Sequence, residues 1–140
     1  MYYTKSFVHL NTKQFVVNKS KMKPTDSELK ILQVLWDRGP SSVRTVYESL
    51  EKTEVGYTTI LKLMQIMLEK DMVDRDASAR THIYRAKLIK EDTQEKLLDK
   101  MIDSVYNGST SRLVMQALDN QRTSQKELEE IKAFLKTLEK

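Results

Sequence analysis

The stretch from Gly56 to Val73, GYTTILKLMQIMLEKDMV, constrains the fold more than any other part of the chain. Ile60, Leu63, Met64, Met67 and Leu68 recur at i, i+3, i+4, i+7 and i+8 and fall within about 80° of Ile60 on a helical wheel, the stripe of a helix with one side in a core. Thr58, Lys62, Gln65, Ile66 and Glu69 occupy the opposite side, with Thr59 on its flank. Folding makes no demand on that side, so it is free to meet something outside the core. A strand-like run follows at once.

The flanking sequence places this helix third in a series. Thr25-Asp-Ser-Glu28 has the spacing of a capping box, and Leu29, Leu32, Leu35 and Trp36 continue as an apolar stripe that Gly39-Pro40 ends. Ser41 or Ser42 caps a short helix carrying Val43, Val46, Tyr47 and Leu50, and the polar link Glu51 to Gly56 leads into the third helix. VDRD (73–76) and THIYRA (81–86), separated by Ala77-Ser-Ala-Arg80, form a hairpin. From about Lys90 the strand signals stop. Leu97, Leu98, Met101, Ile102 and Val105 give one helical face that Asn107-Gly108 ends, Ser109 caps a helix with Leu113, Val114 and Leu118, and Ser124-Gln-Lys-Glu127 is a second capping box. In that last helix Leu128, Ile131, Leu135 and Leu138 are spaced 3, 4, 3, as in a coiled-coil seam. Three short helices with continuous apolar faces cannot readily cover one another, so Leu97, Leu98, Met101, Ile102, Leu128, Ile131, Leu135 and Leu138 are expected to bury themselves against a second chain. The same helical pattern suggests burial for Met115, Ala117 and Leu118.

The order helix, short helix, helix, hairpin is that of a winged helix-turn-helix, in which the third helix enters the major groove of duplex DNA and the hairpin touches the backbone beside it. The fold class is therefore mainly α with a small β wing, followed by a C-terminal helical region. Small hydroxyl residues at the start of the third helix, Thr58 and Thr59, permit close approach to bases and phosphates, or they merely cap the helix. Lys62 can reach a guanine edge or a phosphate, and Gln65 can pair with adenine. Tyr57 either contacts a phosphate or staples the helix. In the hairpin Arg75, Arg80, Arg85 and Thr81 are placed to meet phosphates; Arg75 and Arg85 can instead pair with acids, which leaves Arg80 at the tip as the best candidate. Glu69 and Asp71 repel DNA, so the helix is expected to enter by its N-terminal half. His82 and Tyr84 read as packing or surface residues.

Composition removes most other chemistry. There is no cysteine, which excludes disulfides, thiolate zinc sites and thiol nucleophiles, and only His9 and His82 offer imidazole. Three glycines and two prolines leave no phosphate-cradling glycine loop, and no apolar run approaches a membrane span. No enzyme activity, cofactor or metal site is expected. The first 21 residues carry Lys5, Lys13, Lys19 and Lys21 and no acid, so they hold the whole net charge of +4 and the rest of the chain is neutral. That neutrality keeps open a second reading, a winged-helix protein-interaction module that does not read DNA.

LKILQVLWDRGPSSVRTVYESL, GYTTILKLMQIMLEKDMVDRD and HIYRA together resemble the penicillinase-repressor family of bacterial transcription factors, which includes repressors of beta-lactamase, of methicillin resistance and of copper transport. The resemblance covers about residues 22–140 and rests on Leu35, Trp36, Gly39 and Pro40, on Val43, Arg44 and Val46, on Tyr57 to Thr59, and on Tyr84 and Arg85. It implies a cytoplasmic homodimeric repressor without direct membrane insertion, with a DNA-binding domain over 22–88 and a three-helix dimerisation domain over 89–140; residues 1–21, outside the resemblance, read from their composition as a flexible N-terminal extension. Arg44 joins the DNA-contacting set, and the operator is implied to be a palindrome with TACA and TGTA half-sites. The resemblance also brings in a membrane sensor or protease as a partner of the repressor. The chain departs from the family where members often carry a basic residue at Ile66 and a glycine at Asp71. It lacks the cysteine hook of copper-responsive members, and Gln116-Ala117 stands where beta-lactam-responsive members have a cleavable Asn-Phe bond.

Overall fold

The computed structural model describes residues 23–50 and 54–139. The expected extension over 1–21 and part of the link after Leu50 lie outside the described residues. In chain order the elements are α1 (Asp26–Arg38), β1 (Ser41–Ser42), α2 (Val43–Ser49), α3 (Tyr57–Glu69), β2 (Val73–Asp76), β3 (Ile83–Ala86), α4 (Lys90–Val105), α5 (Thr110–Asp119) and α6 (Gln125–Leu138). Contacts divide the chain into two compact units, the first ending at Thr93 and the second beginning at Gln94.

Helix α1 opens with the expected capping box. The Thr25 hydroxyl accepts from the Glu28 N–H at 3.2 Å, and Glu28 Oε1 accepts from the Thr25 N–H at 2.9 Å. It ends at Gly39, whose φ of 85° is open to glycine and costly to other residues, and whose N–H donates to the Leu35 carbonyl at 2.9 Å. Of the expected stripe Leu32 and Leu35 are buried and Trp36 packs against the core, while Leu29 stays half-buried and Ile31 joins the buried face in its place. The slot one turn before Leu32 is taken by Glu28, which the capping box turns inward, so the stripe rotates toward Ile31.

Ser42 is the N-cap of α2, accepting from the Thr45 N–H. Ser41–Ser42 also forms a short strand that the sequence did not suggest. It pairs antiparallel with β3 (Ser41 opposite Tyr84), and β3 pairs with β2 (Val73 opposite Ala86), giving a three-stranded sheet of order β1-β3-β2. The hairpin link is longer than expected: β3 begins at Ile83, so Thr81 and His82 belong to the loop and not to the strand. Asp76 shapes its start, accepting from the Ser78 N–H at 2.9 Å.

The core of the first unit joins Ile31, Leu32, Leu35, Val43, Val46, Ile60, Met64, Met67, Met72, Val73 and Tyr84. Ile60, Met64 and Met67 of α3 are buried and Leu61, Leu63 and Leu68 pack half-buried around them, so the stripe faces the core as its spacing requires. Two long-range polar ties fix the frame. The Trp36 indole N–H donates to the Leu88 carbonyl at 2.9 Å, and Lys70, at the end of α3, pairs with the buried Glu28 of α1 at 2.9 Å. Burial raises the Glu28 pKa, but the Thr25 N–H and the Lys70 ammonium outweigh it and hold the carboxyl below its ordinary 4.5.

The second unit has a different character. Helix α5 is capped by Ser109 and α6 by a second capping box, Ser124 with Glu127, as expected, yet neither helix buries a side chain. Leu98, Met101, Val105, Val114, Phe134, Leu135 and Leu138 are exposed; Leu97, Ile102, Leu128 and Ile131 are half-buried. The expected burial of Met115, Ala117 and Leu118 is not found in the single chain. Met115 is 69% exposed, Ala117 is exposed and Leu118 half-buried, because the helices of this unit make few contacts with one another. Among the described residues no helix is long and apolar enough to cross a membrane, and no His, Cys, Asp and Glu cluster could hold a metal ion.

Candidate nucleic-acid interface

Helix α3 begins with Gly56 at the N-cap and no side-chain cap, so Thr58 and Thr59 do not cap it. They occupy its second and third positions with their side chains exposed, beside first-turn amides that no side chain satisfies. Lys62 and Gln65, one and two turns on, are also exposed. Hydroxyls, an ammonium, an amide and free helix-start N–H groups therefore share one solvent-facing strip, a set of donors suited to an anion or a base edge.

Beside this strip lies a cleft of about 400 Å³ between α3, the start of α2 and the hairpin. Arg44, Tyr57, Gln65, Arg75, Arg80 and Thr81 all line it, together with Ser42, Val43, Leu61, His82 and Tyr84. Six of the ten residues named as candidates for DNA contact thus converge on one concavity, which Arg85 does not line, and no carboxylate lines it. Thr58, Thr59 and Lys62 belong to the adjoining strip instead.

The cations differ in their freedom. Arg85 faces Asp74 across the hairpin with Nε 3.7 Å from Oδ2, an exposed pair worth about 0–1 kcal/mol. Arg44, Arg75 and Arg80 form no ion pair among the described residues. Arg75 stands opposite the buried Tyr84 in the register, which turns it toward the cleft and away from the Asp74–Arg85 side. Arg44 is held by aromatic rings: its guanidinium lies 4.7 Å from the Tyr57 ring centroid and 6.0 Å from that of Tyr47. Tyr57 meets Tyr47 edge-on at 5.8 Å and 81°. As the first residue of α3 it packs onto α2, which replaces the staple reading.

Two acids bear on the electrostatics of this region. Asp71 adopts φ 66°, a left-handed conformation that glycine enters most easily, and its carboxylate pairs with Lys87 at 2.8 Å. The chain makes the turn into the hairpin without glycine, and of the two acids expected to repel DNA Asp71 is paired with Lys87 while Glu69, at the far end of α3, stays exposed. Asp76, at the base of the hairpin loop, is kept below the ordinary carboxylate range by the Ser78 hydroxyl and N–H. Sequence reasoning missed the inclusion of His82 and Tyr84 in the cleft wall and the part of Tyr47 in the stack. No alternation in the sequence placed Tyr84 there, and Tyr47 stood only in the apolar stripe of α2, three residues from Arg44.

A three-helix unit with a basic hairpin beside the exposed side of its third helix is a winged helix-turn-helix protein. The chain belongs to the penicillinase repressor family, whose family model matches residues 24–137. It is 23% identical to the penicillinase repressor of Staphylococcus aureus over 81% of this chain and 91% of that one, and 23% identical to the penicillinase repressor of Bacillus licheniformis over 79% and 88%. The methicillin resistance regulatory protein MecI of Staphylococcus aureus strain N315 is 22% identical over 79% and 91%. Lactococcus lactis ZitR, in a mutant apo form, aligns over 96% of both chains at 14% identity with a TM-score of 0.39, a likeness too weak to bear on function.

Proposed function

We propose that this protein is a homodimeric transcriptional repressor that occupies a palindromic operator, with α3 in the major groove and the hairpin on the adjoining backbone. The observation that carries the reading is the carboxylate-free cleft, where Arg44, Arg75 and Arg80, which form no ion pair among the described residues, converge beside the exposed strip of Thr58, Thr59, Lys62 and Gln65. Phosphate contacts from Arg44, Tyr57, Arg75, Arg80 and Thr81 set the register on the duplex, and Lys62 and Gln65 read bases. Membership of a repressor family supports the same function.

Dimerisation places two such surfaces on one DNA. Leu98, Met101, Leu135 and Leu138 are exposed in the single chain, and a monomer seldom leaves an apolar surface of that extent in water. Together with the half-buried Leu97, Ile102, Leu128 and Ile131 they form the dimerisation surface. Binding both half-sites raises affinity far beyond one, because the second contact is made at high effective concentration.

The test is a titration of the purified chain against a duplex carrying TACA and TGTA half-sites and against one with a scrambled half. The intact palindrome is expected to bind at least about tenfold more tightly. Equal affinity for the two duplexes would contradict operator recognition.

A further inference from the structure

The three-part stack of Arg44, Tyr57 and Tyr47 joins α2 to the first residue of α3 at the mouth of the cleft. Arg44 belongs to α2 but lies over Tyr57, and Tyr57 is itself braced edge-on by Tyr47, one turn beyond Arg44 in α2. Tyr47 is half-buried, packs against the core and does not line the cleft. An exposed arginine ordinarily loses considerable side-chain entropy when it binds a phosphate. Here two rings already lie against the guanidinium and restrict it, and its N–H groups donate to no acceptor among the described residues.

We infer that Tyr47 is a positioning residue for DNA binding: through Tyr57 it holds the Arg44 guanidinium at the start of α3, ready for one backbone phosphodiester. This rests on the proposed DNA-binding function and adds a residue that itself touches no DNA. The same phosphate then meets two positive sources, the guanidinium and the uncapped helix N-terminus, and Tyr47 fixes their separation.

The inference is tested by a double-mutant cycle on the full-length protein, with a palindromic duplex as probe. Arg44→Ala is expected to weaken binding about 10-fold and Tyr47→Leu about 3-fold, with Tyr47→Phe near wild type because the ring alone braces Tyr57. In the Arg44→Ala background Tyr47→Leu should add no further loss, since its effect passes through Arg44. Additive losses would show Tyr47 to be a packing residue and overturn the inference. Arg44→Lys, a surface change that threatens no core, provides a second arm: it keeps the charge but not the planar, five-donor guanidinium held by the rings, and is expected to recover less than half of the loss. Full recovery by lysine would also overturn it, even if Tyr47→Leu fails to fold. Should the wild-type protein not bind DNA at all, the proposed function fails first; wild-type binding with an additive cycle sinks the positioning role alone.

Discussion

At the scale of single residues, position relative to the cleft separates side chains that look alike in the sequence. Lys62 is exposed on α3 outside the cleft, whereas Arg80 lies on the hairpin loop and lines it. Lys62→Ala is accordingly expected to reduce discrimination between operator and random DNA by about 1–3 kcal/mol. Arg80→Ala should weaken both DNAs about equally and flatten the salt dependence, as loss of a phosphate contact does. Parallel titrations of the two variants check this, and unchanged affinity in both would refute the assignment. Some of the distinction was visible beforehand, since Arg80 at the hairpin tip has no acid near enough to claim it. The freedom of Arg75 was not, because it depends on which neighbour the register sets opposite: Asp74 takes Arg85 and leaves Arg75 with Tyr84.

At the scale of elements, the parts legible in the sequence were those whose causes are local. Both capping boxes, the Ser42 and Ser109 caps and the α3 stripe need only residues a turn away. The strand β1 was invisible because two serines carry no alternation, and their strand character comes wholly from pairing with β3. The rotated stripe of α1 follows from the inward turn of Glu28 in its capping box, and a non-local tie, to Lys70 at the far end of α3, holds the buried carboxylate there. That tie predicts a pH dependence. The folded-state pKa of Glu28 is depressed, so its contribution is complete above the ordinary value of 4.5 and fades as pH falls below it, where the unfolded chain takes up the proton first. Glu28→Gln is expected to cost about 1–3 kcal/mol at neutral pH, from the lost charge-assisted bond to Lys70. The gap between variant and wild type should narrow as denaturant melts are taken from pH 5 toward pH 3, all pH values being approximate. A gap that stays constant would remove the ionised pair from the account.

At the scale of the whole molecule, the two units differ in how far each buries its own apolar residues. The first has a continuous core of its own, while the helices of the second bury almost nothing in a single chain. The apolar heptad spacing in α6 foreshadowed this, although it omitted Phe134, 61% exposed and adjacent to the seam. Sedimentation at micromolar protein is expected to show a dimer, and Leu135→Glu, which sets a charge on the apolar face, should shift it to monomer while leaving the first unit folded. A wild-type monomer without aggregation would contradict the dimer. The central claim, that this dimer grips DNA through a basic cleft and helix in each subunit, is tested most directly by the salt dependence of operator affinity. With three or four cations per subunit meeting phosphates, the logarithm of the binding constant should fall with the logarithm of salt concentration at a slope of about −5 to −7. A slope near zero would contradict the account and favour an apolar protein partner instead.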